Sequence, residues 1–341
     1  MAGVMNEETL LSIVVPCYNE EAVLPETIKV LTEILESLVN EGKISSQSFI
    51  LFVDDGSADK TWQLISTQSE ADPTICGLKL SRNFGHQNAL IAGIETVSDR
   101  TDCVITIDAD LQDDVRAIHT FVDRFHEGYD VVYGVRRARD QDTLFKKYTA
   151  LAFYKLITKM GVSLVPNHAD FRLLSRRAAR EFMRYQEENM FIRGIIPLLG
   201  FRSAKVYYDR QKRYAGESKY PLKKMIQFAV DGITSFSIAP IKLVMSIGFL
   251  LVLVGGGIAV YAFLNWLMDH TISGWTSLIL SIWIIGGMQL IAIGVIGEYI
   301  GKIFTETKKR PRYTIEINTM YDENKYKGTL SHERSHPGNV R

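Results

Sequence analysis

Cys103-Val104-Ile105-Thr106-Ile107-Asp108-Ala109-Asp110-Leu111-Gln112-Asp113-Asp114 runs from a short strand-like segment into a dense set of carboxylates, and the fold is read outward from this stretch. A brief apolar run that ends in polar residues is the pattern of a buried strand. Asp108 and Asp110 follow it with one residue between them, so the bend out of the strand can bring both carboxylates to a common point. Hard oxygen ligands with no neighbouring His or Cys suit Mg²⁺ or Mn²⁺, and Mg²⁺ usually shares its site with substrate phosphates. A diphosphate is therefore the expected ligand. Asp113 and Asp114 read as acids of the next helix's first turn, where the helix dipole favours negative charge.

The same grammar repeats on either side. Leu11 to Pro16, Phe49 to Val53, Leu78 to Leu80 and Val131 to Val135 are further strand-like runs. Helix-length stretches separate them, among them residues 20–39 with Val23, Leu24, Ile28, Leu31, Ile34, Leu35 and Leu38 at helical spacing, and about Lys60 to Ser69. Such alternation predicts a largely parallel sheet covered by helices, with ligands at the carboxyl ends of the strands. Two more polar clusters fall at such ends. Val15-Pro16-Cys17-Tyr18-Asn19-Glu20-Glu21 opens a helix, a common junction in α/β proteins. In Val53-Asp54-Asp55-Gly56-Ser57-Ala58-Asp59-Lys60-Thr61, capping by Ser57 or Asp59 explains one residue and leaves the Asp54-Asp55 pair unexplained. Adjacent like charges need a cation or hydrogen-bond donors, and a base or ribose can supply the donors.

The chain of 341 residues has room for two units, and its halves differ in composition. With 39 basic and 39 acidic residues the formal charge is zero, which removes net charge as a reason to expect nucleic acid as a partner. Cys17, Cys76 and Cys103 show neither a CxxC pair nor metal-ligand spacing and read as buried small apolar residues of a reducing compartment. Met1 to Leu11 lacks a basic segment followed by an apolar one, so no secretory signal is expected.

Residues 243–268 and 270–297 contain no Asp, Glu, Lys or Arg, and each run exceeds the roughly 20 apolar residues that cross a bilayer. Lys219, Lys223, Lys224 and Lys242 precede the first, Lys302, Lys308, Lys309, Arg310 and Arg312 follow the second, and the connection around Asp269 and His270 has no Lys or Arg. That asymmetry predicts a multi-pass protein of the plasma membrane with the strand-and-helix domain and both termini cytoplasmic. Gly255-Gly256-Gly257 and Gly286-Gly287 permit close helix approach, so a homo-oligomer is expected. Between sheet and membrane, residues 217–240 interleave Tyr220, Leu222, Met225, Ile226, Phe228, Ile233 and Phe236 with Lys219, Lys223 and Lys224, a basic amphipathic helix suited to the headgroups. The tail begins strand-like at Tyr313 to Ile317, and disorder is expected beyond about Asp322.

Val-Pro-Cys-Tyr-Asn-Glu, Val-Asp-Asp-Gly-Ser-Ala-Asp-Lys-Thr, Asp-Ala-Asp-Leu-Gln-Asp and the segment Arg213-Tyr-Ala-Gly-Glu-Ser-Lys-Tyr220 together resemble the family 2 glycosyltransferases of GT-A fold. More narrowly, the chain is similar to the polyprenyl-phosphate glycosyltransferases, which include the bacterial bactoprenol glucosyltransferases and dolichol-phosphate mannose synthase. The likeness runs from about Leu11 to Tyr313. It implies an α/β fold: a GT-A, Rossmann-like, mostly parallel sheet as catalytic domain over residues 1–215, an amphipathic juxtamembrane segment over 216–240, a two-helix anchor over 241–303 with spans about 243–267 and 276–300, and a tail over 304–341.

The resemblance also implies roles. Pro16, Tyr18, Glu20 and Asp55 would hold the nucleotide, Asp108, Asp110 and Gln112 would surround the Mg²⁺ or Mn²⁺ and the diphosphate, and Arg213 would approach the phosphates from a closing loop that excludes water. Arg136, at the end of its strand with Arg137, is the first candidate for the acceptor phosphate, joined by Lys146, Lys147, Arg172, Ser218 and Lys219. Catalytic work falls to Asp110, Arg136 and Asp170. In Asp170-Phe171-Arg172 the acid is either a base or an orienting group for Arg172 or the acceptor, and a phosphate monoester with a second pKa of about 6 has little need of a base. One departure is His86-Gln87 after Arg82-Asn83-Phe84-Gly85, where related proteins often carry Lys. A lone His there reads as a structural residue.

The expected reaction is inverting transfer of a hexose or N-acetylhexosamine, glucose or GlcNAc favoured, from a UDP-sugar to undecaprenyl phosphate. A GDP-mannose-dependent synthase and a non-catalytic scaffold are the alternatives. A processive polysaccharide synthase is disfavoured, because the chain has two spans and no Gln-x-x-Arg-Trp segment.

Overall fold

The computed structural model describes residues 9–137, 168–187, 190–209, 239–267 and 274–321. These fall into two units, one of residues 9–137, 168–187, 190–209 and 311–321, the other of 239–267 and 274–310.

The first unit is a sheet of eight strands with helices against it. In chain order the elements are β1 (Leu11–Cys17), α1 (Leu24–Asn40), β2 (Phe49–Asp54), α2 (Thr61–Ala71), β3 (Ile75–Leu80), α3 (His86–Val97), β4 (Cys103–Thr106), α4 (Ala117–His126), β5 (Val131–Arg136), β6 (His168–Ser175), α5 (Arg176–Met183), α6 (Ile192–Leu198) and β7 (Ser203–Tyr208). Two long helices follow, α7 (Ala239–Leu267) and α8 (Trp275–Lys308), then β8 (Ile315–Asn318) and a 3₁₀ turn. The strand order is β7-β5-β6-β4-β1-β2-β3-β8. β4, β1, β2 and β3 run parallel, β5 and β7 pair parallel, β6 is antiparallel to both its neighbours, and β8 is antiparallel to β3.

The continuous apolar runs of β1 and β2 are buried along their whole length, as parallel strands covered on both faces must be. α1 lays Leu24, Ile28, Leu31, Leu35 and Leu38 on the sheet as one stripe. α3 lies closer still: a Cβ on Gly93 would come within 2.3 Å of Val14 Cγ1, so glycine is required for this helix to rest on β1. α4 sets Phe121 against Phe171 of β6 at 4.5 Å between ring centroids, and Phe171 meets Tyr208 of β7 edge-on at 5.5 Å. Such pairs contribute about 0.5–1.5 kcal/mol each beyond their burial. The chain leaves β1 toward β2 on one side and returns to β4 on the other, so the crevice between the carboxyl ends of β1 and β4 is the topological switch point.

The alternating sheet is the one expected, and the expected strands recur with ends moved by up to three residues. All three cysteines are buried. The strand expected near Tyr313 is β8, paired with β3.

In the second unit α7 has 29 residues and α8 has 34, roughly 44 and 51 Å at 1.5 Å per residue, against a hydrocarbon core of about 30 Å. Both are long and apolar enough to cross a membrane. Most of their described side chains, Leu243, Phe249, Leu264, Ile282, Leu290 and Ile293 among them, are exposed. Lys309 ends α8 in the left-handed conformation, and Pro311 follows.

Candidate active site

The loops after β1 and β2 are knitted to each other. Asn19, itself at φ 54°, receives the Ser57 hydroxyl as acceptor for its N–H at 2.9 Å and accepts the Ala58 N–H at 2.9 Å. Glu20 N–H donates to Thr61 Oγ1 at 2.9 Å, and Asp59 accepts from the backbone of Glu21 and Thr61. Pro16 is buried in β1, whereas Tyr18 is 47% exposed over the crevice end. Asp55 is buried, and its two carboxylate oxygens accept the N–H groups of Phe84 at 2.7 Å and Gly85 at 2.9 Å. Asp55 thus holds the Arg82–Gly85 loop, in which the Arg82 guanidinium lies 4.0 Å from the centroid of the Phe84 ring. Burial pushes the carboxyls of Asp54 and Asp55 above the usual range despite these bonds.

Beyond β4 the backbone turns sharply, with Leu111 at φ 54°, a conformation rare for a branched residue. Thr27 of α1 donates to the Ala109 carbonyl at 2.7 Å, and Gln112 N–H donates to Asp110 Oδ1 at 3.2 Å. This turn places Asp108 at the crevice. Its Oδ1 is buried and accepts no hydrogen bond among the described residues. Desolvation first, then the charges of Asp170, Asp113 and Asp110, push its carboxyl up to about 6 against the opposing pull of His86. A buried carboxylate oxygen without a hydrogen bond, with Asp110 and Asp113 near it, fits a divalent cation, and the His86 imidazole is the positive charge that now stands closest to it. No three His, Cys, Asp or Glu side chains among the described residues converge on a metal-sized point. A cation here would therefore complete its shell with Gln112, water or a ligand's phosphates.

His86, read from sequence as a structural residue, stands at the acid site, which is therefore not free of histidine. At the start of α3, its Nε2 lies 3.4 Å from Asp108 Oδ1 and 3.4 Å from Asp170 Oδ2. Desolvation pulls the imidazole pKa down, but the two carboxylates outweigh it and hold it above the ordinary value. Asp170 also meets two arginines. Arg193 of α6 grips it with Nε at 3.2 Å from Oδ1 and Nη2 at 3.1 Å from Oδ2, and Arg172 Nη2 lies 2.5 Å from Oδ1. Burial would raise the Asp170 carboxyl, yet His86, Arg172 and Arg193 hold it well below the usual range, which makes it a poor base. Arg172 was expected at the acceptor phosphate. Its side chain is 1% exposed on β6, so it holds Asp170 from below and does not face an entering ligand.

Asp113 also departs from expectation. α4 begins at Ala117 with no acid in its first turn, and Asp114 lies in the preceding turn, where it pairs with Arg116. Asp113 is instead buried beside Arg136, whose Nε donates at 2.9 Å to Oδ1 and Nη2 at 3.2 Å to Oδ2. The Tyr208 hydroxyl donates to Asp113 Oδ1 at 2.7 Å, and burial followed by the Asp113 charge keeps that phenol from ionising. Arg136 does reach the carboxyl edge of the sheet.

Asp108, Asp110, Gln112, Asp170 and Arg136 therefore gather around β4 and its β6–β5 side, with Pro16, Tyr18, Glu20 and Asp55 on its β1–β2 side. Lys146, Lys147, Arg213, Ser218 and Lys219, with nearly all of the amphipathic stretch, lie outside the described residues. Sequence reading singled out His86 without placing it at the acids, and missed Arg193 and the Asp113–Tyr208 pair. A hint was available for His86, which directly follows the Arg82–Gly85 loop. None marked Arg193 within an apolar helix.

The sequence pattern described as Glycosyl transferase family 2 matches residues 12–183. The uncharacterized glycosyltransferase YkoT of Bacillus subtilis (strain 168) is 54% identical over 93% of this chain and 94% of its own length. The bactoprenol glucosyl transferase of Shigella phage SfX is 37% identical over 90% of this chain and 98% of its own. Among solved structures, glucosyl-3-phosphoglycerate synthase from Mycobacterium tuberculosis, in complex with phosphoglyceric acid, is similar at 18% identity and a TM-score of 0.43, over 67% of this chain and 79% of that one.

Proposed function

The chain belongs to glycosyl transferase family 2, and from that premise we propose that it transfers a hexose or N-acetylhexosamine, glucose or GlcNAc favoured, from a UDP-sugar to undecaprenyl phosphate at the cytoplasmic membrane face. The observation that carries this reading is the central position of the acids. Asp108 and Asp110 follow β4, the Tyr18, Glu20 and Asp55 loops lie on one side, and Arg136 and Asp170 lie on the other. A nucleotide laid over β1 and β2 presents its diphosphate to the acids. A phosphate held at the β6–β5 side then faces the anomeric carbon from the opposite direction.

The acceptor phosphate oxygen forms the new bond to that carbon as the bond to the diphosphate breaks, so an α-linked donor gives a β-linked product. When bound by Asp108 and Asp110, with Gln112 directly or through water, Mg²⁺ or Mn²⁺ supplies positive charge to the departing diphosphate. Asp170 keeps its arginines in place, and no strong base is needed for a phosphate already ionised at neutral pH. The relative from Shigella phage SfX, by its name a bactoprenol glucosyl transferase, supports both a polyprenyl acceptor and glucose. The exposed apolar surfaces of α7 and α8 support a membrane anchor, and the flanking Lys and Arg favour cytoplasmic ends.

The test is to incubate the purified full-length protein and polyprenyl phosphate with a panel of UDP- and GDP-sugars, with Mn²⁺ or with EDTA. Lipid-linked sugar is expected from UDP-glucose or UDP-GlcNAc with metal, and Asp110→Ala is expected to abolish it with the fold intact. GDP-mannose as the sole working donor would replace this reading with a mannose synthase. Nucleotide binding without any transfer would favour a scaffold, and a fully active Asp110→Ala protein would end the proposed mechanism.

A further inference from the structure

Two guanidinium groups reach the same end of the sheet by separate routes, Arg136 from the last position of β5 and Arg193 from α6. Each is gripped along one edge by a carboxylate that is itself shielded. Asp113, with a side chain 1% exposed, takes Nε and Nη2 of Arg136, and Asp170, 12% exposed, takes Nε and Nη2 of Arg193. The arginine side chains keep 27% and 41% exposure. Among the described residues no hydrogen bond takes up Nη1 of either. Toward the described residues, both therefore retain donors after their anchors are satisfied.

Strand pairing brings the anchor of one arginine beside the other arginine. Val135 pairs with His168, which sets Asp170 on the strand adjacent to Arg136. The two cations lie within each other's field, since the charge of Arg136 opposes that of Arg193. Each guanidinium is already compensated by its own carboxylate, so what it offers an anion is the N–H donors left on the outer edge of its fork. The planar guanidinium fork matches phosphate oxygens, and a monoester is largely dianionic at neutral pH, which suits two cations.

We propose that Arg136 and Arg193 together form a two-guanidinium seat for the terminal phosphate of the acceptor, with Asp113, Tyr208 and Asp170 as positioning residues. The inference rests on the reading of the acceptor as a lipid phosphate and deepens it by adding the second clamp. The acceptor is favoured over the donor diphosphate because both arginines are anchored on the β6–β5 side of β4, across the acids from Tyr18 and Asp55.

The experiment uses full-length protein in detergent with farnesyl phosphate as acceptor and the donor identified by the sugar panel. Arg193→Gln is expected to raise the acceptor KM roughly ten- to a hundredfold, the scale of one lost charged hydrogen-bonding group, with the donor dissociation constant changed less than about threefold. Farnesyl phosphate alone should also stabilise the wild type against heat more than the variant. Arg193→Lys, which keeps the charge and loses the fork, should fall between the two and serves if Arg193→Gln fails to fold. A raised donor constant with an unchanged acceptor KM would assign the arginines to the diphosphate and overturn the proposal, as would no change in either. A wild-type protein that transfers sugar to no polyprenyl phosphate would remove the acceptor reading itself, and the seat with it.

Discussion

Single carboxylates govern this site through the donors that each one finds. Asp54 and Asp55 are adjacent in sequence yet serve differently: Asp55 binds two N–H groups of the Arg82–Gly85 loop, whereas Asp54 Oδ1 accepts from Ser57 N–H at 3.3 Å and its Oδ2 has no partner among the described residues. Gly56 makes the first arrangement possible. It sits at φ 66°, and a Cβ there would fall 2.4 Å from the Arg82 carbonyl carbon and 2.6 Å from Asn83 N, both backbone atoms that cannot swing aside. Gly56→Ala is therefore expected to destabilise the protein by more than about 1 kcal/mol and to weaken donor binding. Denaturant unfolding and titration with UDP check this, and unchanged values for both would show that the loop contact carries no weight. The strand-end acids were legible in sequence because a strand and the turn after it are local. Arg172, two residues from Asp170, was legible in the same way, but the distant partners were not: Tyr208 is 95 residues from Asp113, and no spacing rule links them.

Among the elements, β8 has a role out of proportion to its four residues. Although it follows α8 in the chain, it completes the edge of the catalytic sheet beside β3. Ser81 N–H donates to the Thr314 carbonyl at 3.0 Å, Lys79 pairs with Glu316 at 3.0 Å, and Gly77 N–H donates to Thr319 Oγ1 at 2.8 Å. Arg312 reaches the Tyr185 carbonyl at 2.7 Å, and the Tyr313 hydroxyl donates to Glu95 of α3. β3 leads directly into the Arg82–Gly85 loop and α3 begins at His86, so the segment braces two elements that shape the site. Removing the acceptor for Gly77 N–H, as in Thr319→Val, is expected to cost about 1–3 kcal/mol and to speed tryptic cleavage at the exposed Arg82. Equal unfolding midpoints and equal cleavage rates for the two proteins would exclude the brace. The strand was visible in sequence as a β-branched run, but its pairing partner was not, since an edge strand carries no mark of the strand it joins.

For the whole molecule, the proposed topology can be read by cysteine labelling with little background, because Cys17, Cys76 and Cys103 are buried and burial pushes the thiols of Cys17 and Cys103 up. A membrane-impermeant maleimide applied to intact cells is expected to label Thr271→Cys and to leave Glu306→Cys unlabelled until the membrane is opened. The reverse pattern would invert the protein, and labelling of both would deny that α8 spans. This expectation came wholly from sequence, from the apolar runs and the Lys and Arg around them. So did the alternating sheet and the crowding of carboxylates at strand ends, because burial periodicity, helix length and the turn after a strand are written in neighbouring residues. Apart from the local pair Asp170–Arg172, the tertiary structure alone decided which cation meets which acid. Strand order β7-β5-β6-β4-β1 brings Arg136, Asp170 and Asp108 to one edge, and the close packing of α3 and the docking of α6 add His86 and Arg193. Those pairings depend on how distant segments pack around a shared core, and no local pattern in the chain encodes them.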